Sequence, residues 1–192
     1  MGEKVRTFIA LPLPQTVLDP IRDVQERLKK ERFSVRWVRP ESIHLTLKFL
    51  GDIAEGELEG VSEAMKAVAA QNGPCSICAK GLGVFPGVKN PRVLWVGVAG
   101  DTEPLGKIQS DLESQLESKG YPREKRPFKS HLTIGRAKGR IDSRGLAEVL
   151  REHSDLSSPP FEAGELVLFK SDLKPSGAVY TRLATEPLVG IL

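Results

Sequence analysis

This 192-residue chain has only two cysteines and three histidines, and it has no long apolar run. A membrane-spanning helix needs roughly 18 or more successive apolar residues, and no stretch approaches that. The apolar segment at residues 7–13 is interrupted by Pro12, bounded by Pro14 and followed by no small-residue cleavage site, which argues against a signal peptide. Arg6 stands where N-myristoylation of Gly2 would need Ser or Thr. Cys75 and Cys78 make one C-x-x-C pair with no second pair to complete a four-cysteine zinc site. Residues 74–79 read as a strand, where positions three apart face opposite sides, so these are expected to be packing thiols of a reduced, cytoplasmic protein.

What is present suits a folded globule: 40% apolar and 28% charged residues, in a length that fits one domain or two small lobes. The net charge of +3 is unevenly spread. Seven cations (Arg123, Lys125, Arg126, Lys129, Arg136, Lys138 and Arg140) crowd residues 123–140 against one acid, Glu124. Such a window is either a solvated face or a phosphate-holding surface. His131 stands in its middle.

The chain repeats itself. Aliphatic strands open each half, Thr7-Phe8-Ile9-Ala10-Leu11 and Val93-Leu94-Trp95-Val96-Gly97-Val98. A helix follows each, with stripes at Val17, Ile21, Val24, Leu28 and at Leu105, Ile108, Leu112, Leu116, and with Thr16 as the expected N-cap of the first. Then come His44-Leu45-Thr46-Leu47 and His131-Leu132-Thr133-Ile134, second helices near 55–70 and 142–153, and strands running into Phe85 and Phe169. The offset is 87 residues between the histidines, 86 between the opening strands and 84 between the two phenylalanines. A near-constant offset predicts a duplication, with repeats of about 6–92 and 93–185 inside a single bilobal domain spanning 1–192. The expected fold is α+β: two small, mainly antiparallel sheets facing each other across a cleft, related by a pseudo-twofold, with helices outside.

One His-x-Thr means nothing, but two of three histidines carry His-Leu-Thr. With 23 leucines and 7 threonines in the chain, chance gives that on the order of one time in ten thousand. Side chains alternate along a strand, so His44 and Thr46 share one face while Leu45 and Leu47 anchor the other, and likewise for His131 and Thr133. Two such strands supply two imidazoles that titrate near neutral pH and two hydroxyls that donate to phosphoryl oxygens. In-line displacement at phosphorus needs a base on one side, an acid on the other and fixed donors between them. Metal binding is the rival chemistry. Neither strand carries Asp, Glu or Cys beside its His, however, and Asp52 lies eight residues beyond His44. His153, near a helix C-terminus, reads as a partner of the helix dipole.

The stretches His44-Leu45-Thr46-Leu47-Lys48-Phe49-Leu50-Gly51 and His131-Leu132-Thr133-Ile134-Gly135-Arg136 resemble the two-histidine (2H) phosphoesterase superfamily. Within it they look like the RNA 2′,3′-cyclic phosphodiesterases, historically called 2′-5′ RNA ligases. The segments at 6–11, 91–97 and Ser176-Gly177-Ala178-Val179-Tyr180 support the likeness, and Ser130 replaces a proline common in the family. The resemblance implies a bilobal fold and opening of a ribose 2′,3′-cyclic phosphate to a 2′-phosphate, with no metal and no cofactor. It implies His44 as proton donor and His131 as proton acceptor, with Thr46, Thr133 and Arg136 holding the phosphate. The residues alone do not assign acid and base, because the halves are nearly symmetric. Ligation in the reverse direction and a non-catalytic RNA-binding module stay open as alternatives. The expected partner is RNA with a 2′,3′-cyclic phosphate end, tRNA fragments included, with no membrane association and a monomeric chain.

Arg136 lies five residues past His131, and Phe49 five past His44, so strict alternation turns both away from the pocket. A bulge, which Gly135 would permit, or the strand's end would bring Arg136 to the phosphate and Phe49 to stack on a base.

Overall fold

The computed structural model describes residues 4–175 and 177–190; Met1, Gly2 and Ser176 of the stretches above lie outside them. In order the chain forms β1 (Lys4–Leu11), α1 (Gln15–Lys30), β2 (Val35–Trp37), β3 (Leu45–Ala54), α2 (Leu58–Gln71), β4 (Cys75–Phe85) and β5 (Val93–Gly100). It continues with α3 (Thr102–Ser118), β6 (His131–Ala137), α4 (Ser143–Glu152), β7 (Phe161–Ala163), β8 (Glu165–Lys174) and β9 (Gly177–Pro187).

The helices form where apolar residues recur at helical spacing. In α1, Val17, Ile21, Val24 and Leu28 are buried, and in α3 so are Leu105, Ile108, Leu112 and Leu116. Both stripes enter one continuous core with Leu45, Val96, Leu132 and Leu168 from the strands. Each such side chain withdrawn from water contributes about 1.5–3 kcal/mol. The start of α1 differs from expectation. Thr16 lies inside the helix and Pro14 is the N-cap, its carbonyl accepting from the amides of Val17 and Leu18. Proline suits a helix start because it brings no N–H that would need a partner. At α4 the cap is a side chain, with Asp142 accepting from the Gly145 amide at 2.7 Å, and His153 closes the C-terminus.

The α+β class and antiparallel pairing hold throughout. The strands run β7-β4-β5-β6-β3-β1-β8-β9, with β2 beside β6. The two expected sheets are therefore joined edge to edge, through the single pair Leu45↔Leu132 between β3 and β6. The strands on either side of that pair come from both ends of the chain. β4 pairs with β5, and β8 pairs with β1 through Phe8↔Phe169. Cys75 and Cys78 are unpaired thiols on β4, the first fully buried and the second half-buried.

Candidate active site

The joint between the sheets is also the centre of the site. Leu45 and Leu132 are both buried on the helix side. In an antiparallel pair the flanking residues meet in reverse order, so His44 comes opposite Thr133, and Thr46 opposite His131. All four project from the face opposite the leucines. The two histidine positions then lie on a diagonal of the pair, a spacing that in antiparallel strands is roughly 7–8 Å and somewhat less between Cβ atoms. The structure thus brings together both predicted His-x-Thr strands around a local twofold.

Each strand breaks its alternation just beyond the threonine. On β3, Ala10 pairs with Thr46 but Ile9 with Lys48, leaving Leu47 as an extra residue. On β6, Trp95 pairs with Thr133 but Leu94 with Gly135, leaving Ile134 extra. The bulges fall at equivalent places, and each makes two successive residues buried, Leu47-Lys48 and Ile134-Gly135. The reversed phase turns Phe49 and Arg136 to the cleft face, where Phe49 is 64% exposed. Gly135 is required here: a Cβ would lie 2.6 Å from Val35 Cγ1 and 3.2 Å from Trp37 Cε3.

Buried polar side chains hold both bulges. Gln25, fully buried on α1, donates to the carbonyls of Ile134 (2.8 Å) and Val38 (2.9 Å), and the Val38 amide also donates to Ile134. Lys48 Nζ donates to Glu113 Oε2 and to the Pro122 carbonyl, both at 2.6 Å. The same Glu113 oxygen accepts from the Glu124 amide, so one carboxylate ties β3 to the segment leading into His131. Sequence reasoning passed over these three. Their signal was a polar residue beside an apolar stripe (Gln25 after Val24, Glu113 after Leu112) or within an apolar strand (Lys48).

The histidines share one local geometry. His44 Nδ1 donates to the Ser42 carbonyl at 2.8 Å, and His131 Nδ1 to the Lys129 carbonyl at 2.7 Å. A carbonyl only accepts, so each neutral ring carries its proton on Nδ1 and leaves Nε2 as the reactive nitrogen. Neither threonine hydroxyl is engaged in a side-chain hydrogen bond among the described residues.

Their surroundings differ. The His44 ring stacks on Phe8 (centroids 4.6 Å apart), meets Tyr180 edge-on at 5.1 Å and lies 6.2 Å from Phe169. Burial among these rings pushes its pKa down to about 4, with the Ser42 hydrogen bond acting in the opposite direction. Among the described residues His131 has one aromatic neighbour, Phe85, edge-on at 5.1 Å. Tyr180 is itself shifted upward by burial, while the charges of Arg136 and Arg6 pull it the other way, so Arg136 acts across the cleft on the His44 side.

Of the basic window, Arg123 is turned back onto α3 by Glu117 and Ser114, and Lys129 sits over the Phe85 ring at 5.9 Å. Lys125, Arg126, Lys138 and Arg140 are exposed. Among the described residues no group of three or more His, Cys, Asp or Glu is placed to hold a metal ion, and no helix is long and apolar enough to cross a membrane.

Two imidazoles and two hydroxyls on paired strands are the equipment of a phosphoester-cleaving enzyme. A family model described as LigT-like phosphoesterase matches the chain twice in succession, over residues 11–95 and 96–180. The chain belongs to this family. It is similar to a protein named RNA 2′,3′-cyclic phosphodiesterase from Methanothermobacter thermautotrophicus, with 34% identity covering 93% of this chain and 96% of the relative. A protein of the same name from Aquifex aeolicus is 37% identical, covering 84% of this chain and 87% of its own. Among solved structures, TT0787 of Thermus thermophilus matches with a TM-score of 0.79 and 27% identity, covering 96% of this chain and 98% of that one.

Proposed function

We propose that this enzyme opens the 2′,3′-cyclic phosphate at an RNA end to a 2′-phosphomonoester, without a metal, using His44 and His131 as acid and base. The observation that carries the reading is the pairing of two His-x-Thr strands about Leu45 and Leu132, each histidine with Nδ1 committed to a backbone carbonyl. The names of the relatives agree with it.

In the reaction, Nε2 of His131 takes a proton from water as the water oxygen bonds to phosphorus. The bond from phosphorus to the ribose 3′ oxygen breaks on the opposite side, and Nε2–H of His44 protonates that oxygen. Thr46 and Thr133 donate to the non-bridging oxygens, and the Arg136 guanidinium balances their charge. Phe49 offers its exposed ring to the terminal base. Burial holds His44 near 4, so the anionic phosphate seated beside it must raise that value for the ring to carry its proton. RNA ends of this kind, tRNA fragments included, are the partners of the reading. It takes the enzyme as a monomeric cytoplasmic protein, one bilobal domain built from repeats 6–92 and 93–185.

The test is product analysis after adding an oligonucleotide with a 2′,3′-cyclic end in the presence of excess chelator. A 2′-phosphate with a free 3′ hydroxyl is expected. Activity lost on chelation and restored by zinc or manganese would overturn the reading, as would a 3′-phosphate product.

A further inference from the structure

The register of the short strand β2 sets two arginines side by side. Arg36 lies directly opposite Arg136, with Trp37 opposite Gly135 and Val35 opposite Ala137. Val35 and Trp37 close over Gly135 on the helix side, so alternation places Arg36 on the cleft face with Arg136. Directly opposed residues have Cβ atoms about 4.5–5.5 Å apart, and like charges at that spacing destabilise a sheet. Nothing relieves this pair: both side chains are exposed, and neither has a carboxylate partner among the described residues. A costly like-charge pair on the face of a phosphate site is explained by an anionic ligand that engages both.

A cyclic terminal phosphate supplies one anion. An RNA strand supplies a second in one place only, the phosphodiester on the 5′ side of the terminal nucleotide. We infer that Arg36 contacts that phosphodiester while Arg136 serves the reacting phosphate, so that the enzyme favours oligonucleotide ends over cyclic mononucleotides. The assignment follows from position. Arg136 is on the His131 strand and its charge reaches the Tyr180 ring beside His44, whereas Arg36 is one strand removed. This inference rests on the proposed reaction and names the part of the substrate that selects for a chain.

The test compares kcat/KM for a 2′,3′-cyclic mononucleotide, a cyclic-ended oligonucleotide, and the same oligonucleotide with its last internucleotide linkage replaced by an uncharged methylphosphonate. Wild type should prefer the charged oligonucleotide over the methylphosphonate by about tenfold at low salt, the value of one charge-assisted contact. Arg36→Ala should erase that preference and leave the mononucleotide unchanged. Arg36→Lys should restore part of it, because it keeps the charge and loses the fork. The midpoint of thermal unfolding should stay or rise in Arg36→Ala, since the variant relieves a repulsion. In a separate binding measurement with a 2′-phosphate oligonucleotide, Arg36→Ala should flatten the salt slope by about 0.7, one contact on a single strand. Equal losses on mononucleotide and oligonucleotide, or a methylphosphonate preference that survives in Arg36→Ala, would overturn the inference and leave the reaction standing. A wild type inactive on all three substrates would sink the reaction, and an unchanged salt slope would then dispose of Arg36 separately.

Discussion

His44 lies flat on Phe8, with ring centroids 4.6 Å apart and an interplanar angle of 24°, while its counterpart His131 meets the edge of Phe85. The two strands are matched in backbone and bulge, so the aromatic bed under one of them is what breaks their equivalence. Burial disfavours the protonated form of His44, so the acid role proposed for it depends on the substrate phosphate to restore that proton.

The first prediction concerns stability against pH. Burial holds His44 near 4 in the folded protein, below the unfolded value of about 6.5. Between those values the unfolded chain binds a proton that the folded chain refuses. The contribution is therefore complete above pH 6.5 and is lost as pH falls through 4, amounting to roughly 3 kcal/mol. Denaturant unfolding of wild type and His44→Gln at pH 7.5 and 4.5 measures it. The variant should lose less stability on acidification, and an identical loss in both proteins would show that His44 is not held neutral.

Turnover gives the second. His44→Ala and His131→Ala should each lower kcat by about 10²–10⁴-fold, the usual range for a positioned acid or base, with smaller changes in KM. Single-turnover kinetics on a cyclic-ended oligonucleotide would check this. Near-normal turnover in either variant rules out a two-histidine mechanism.

Lys48 and Glu113 make the third. Both are about nine-tenths buried and meet at 2.6 Å. Lys48→Met leaves a buried carboxylate without its cation, which costs about 3–5 kcal/mol. Lys48→Met combined with Glu113→Leu removes both charges and should recover most of that loss. Urea unfolding of the single and double variants decides it, and equal destabilisation would mean the pair contributes through packing alone.

The fourth separates clamp from surface. Arg136→Ala should impair a cyclic mononucleotide as severely as an oligonucleotide. Neutralising Lys125, Arg126, Lys129 and Lys138 together should weaken only the oligonucleotide and reduce its salt dependence, since backbone contacts release counterions. The measurement is kcat/KM for both substrates across a salt series. A mononucleotide unaffected by Arg136→Ala would remove that residue from the site, and a full salt slope in the four-residue variant would leave the window a solvated face.

Much of this was legible in the sequence because it depends on local spacing. The helix stripes, the apolar strands and the alternation of His44 with Thr46 follow from 3.6- and 2-residue periods within one segment. The class of fold and the doubled motif were legible for the same reason. The bulges at Leu47 and Ile134 were not, since a bulge is defined against a partner strand whose register no single segment reveals. That is why the sequence offers a bulge only as one of two ways, with the strand's end, to turn Phe49 and Arg136 inward against strict alternation. Gln25, Lys48 and Glu113 escaped for a related reason: their partners lie 109 and 65 residues away, and a polar residue next to an apolar stripe looks solvated until those partners are known. Arg36 sits outside the basic window, and only strand pairing brings it beside Arg136.

The strand order has a consequence for how the protein is made. Phe8 is among the first residues synthesised, yet it pairs with Phe169, and Tyr180 closes over it later still. Contacts of such long range fold slowly, because loop closure must precede the interactions that reward it. On the ribosome the β5 and β6 strands can assemble around His131 while His44, already beside Phe8, still waits for Phe169 and Tyr180. A prematurely terminated chain would carry both His-Leu-Thr motifs and Phe8, yet lack the Phe169 and Tyr180 rings that complete the burial of His44. Completion of the last quarter of the chain is therefore what finishes the burial of a residue in its first quarter.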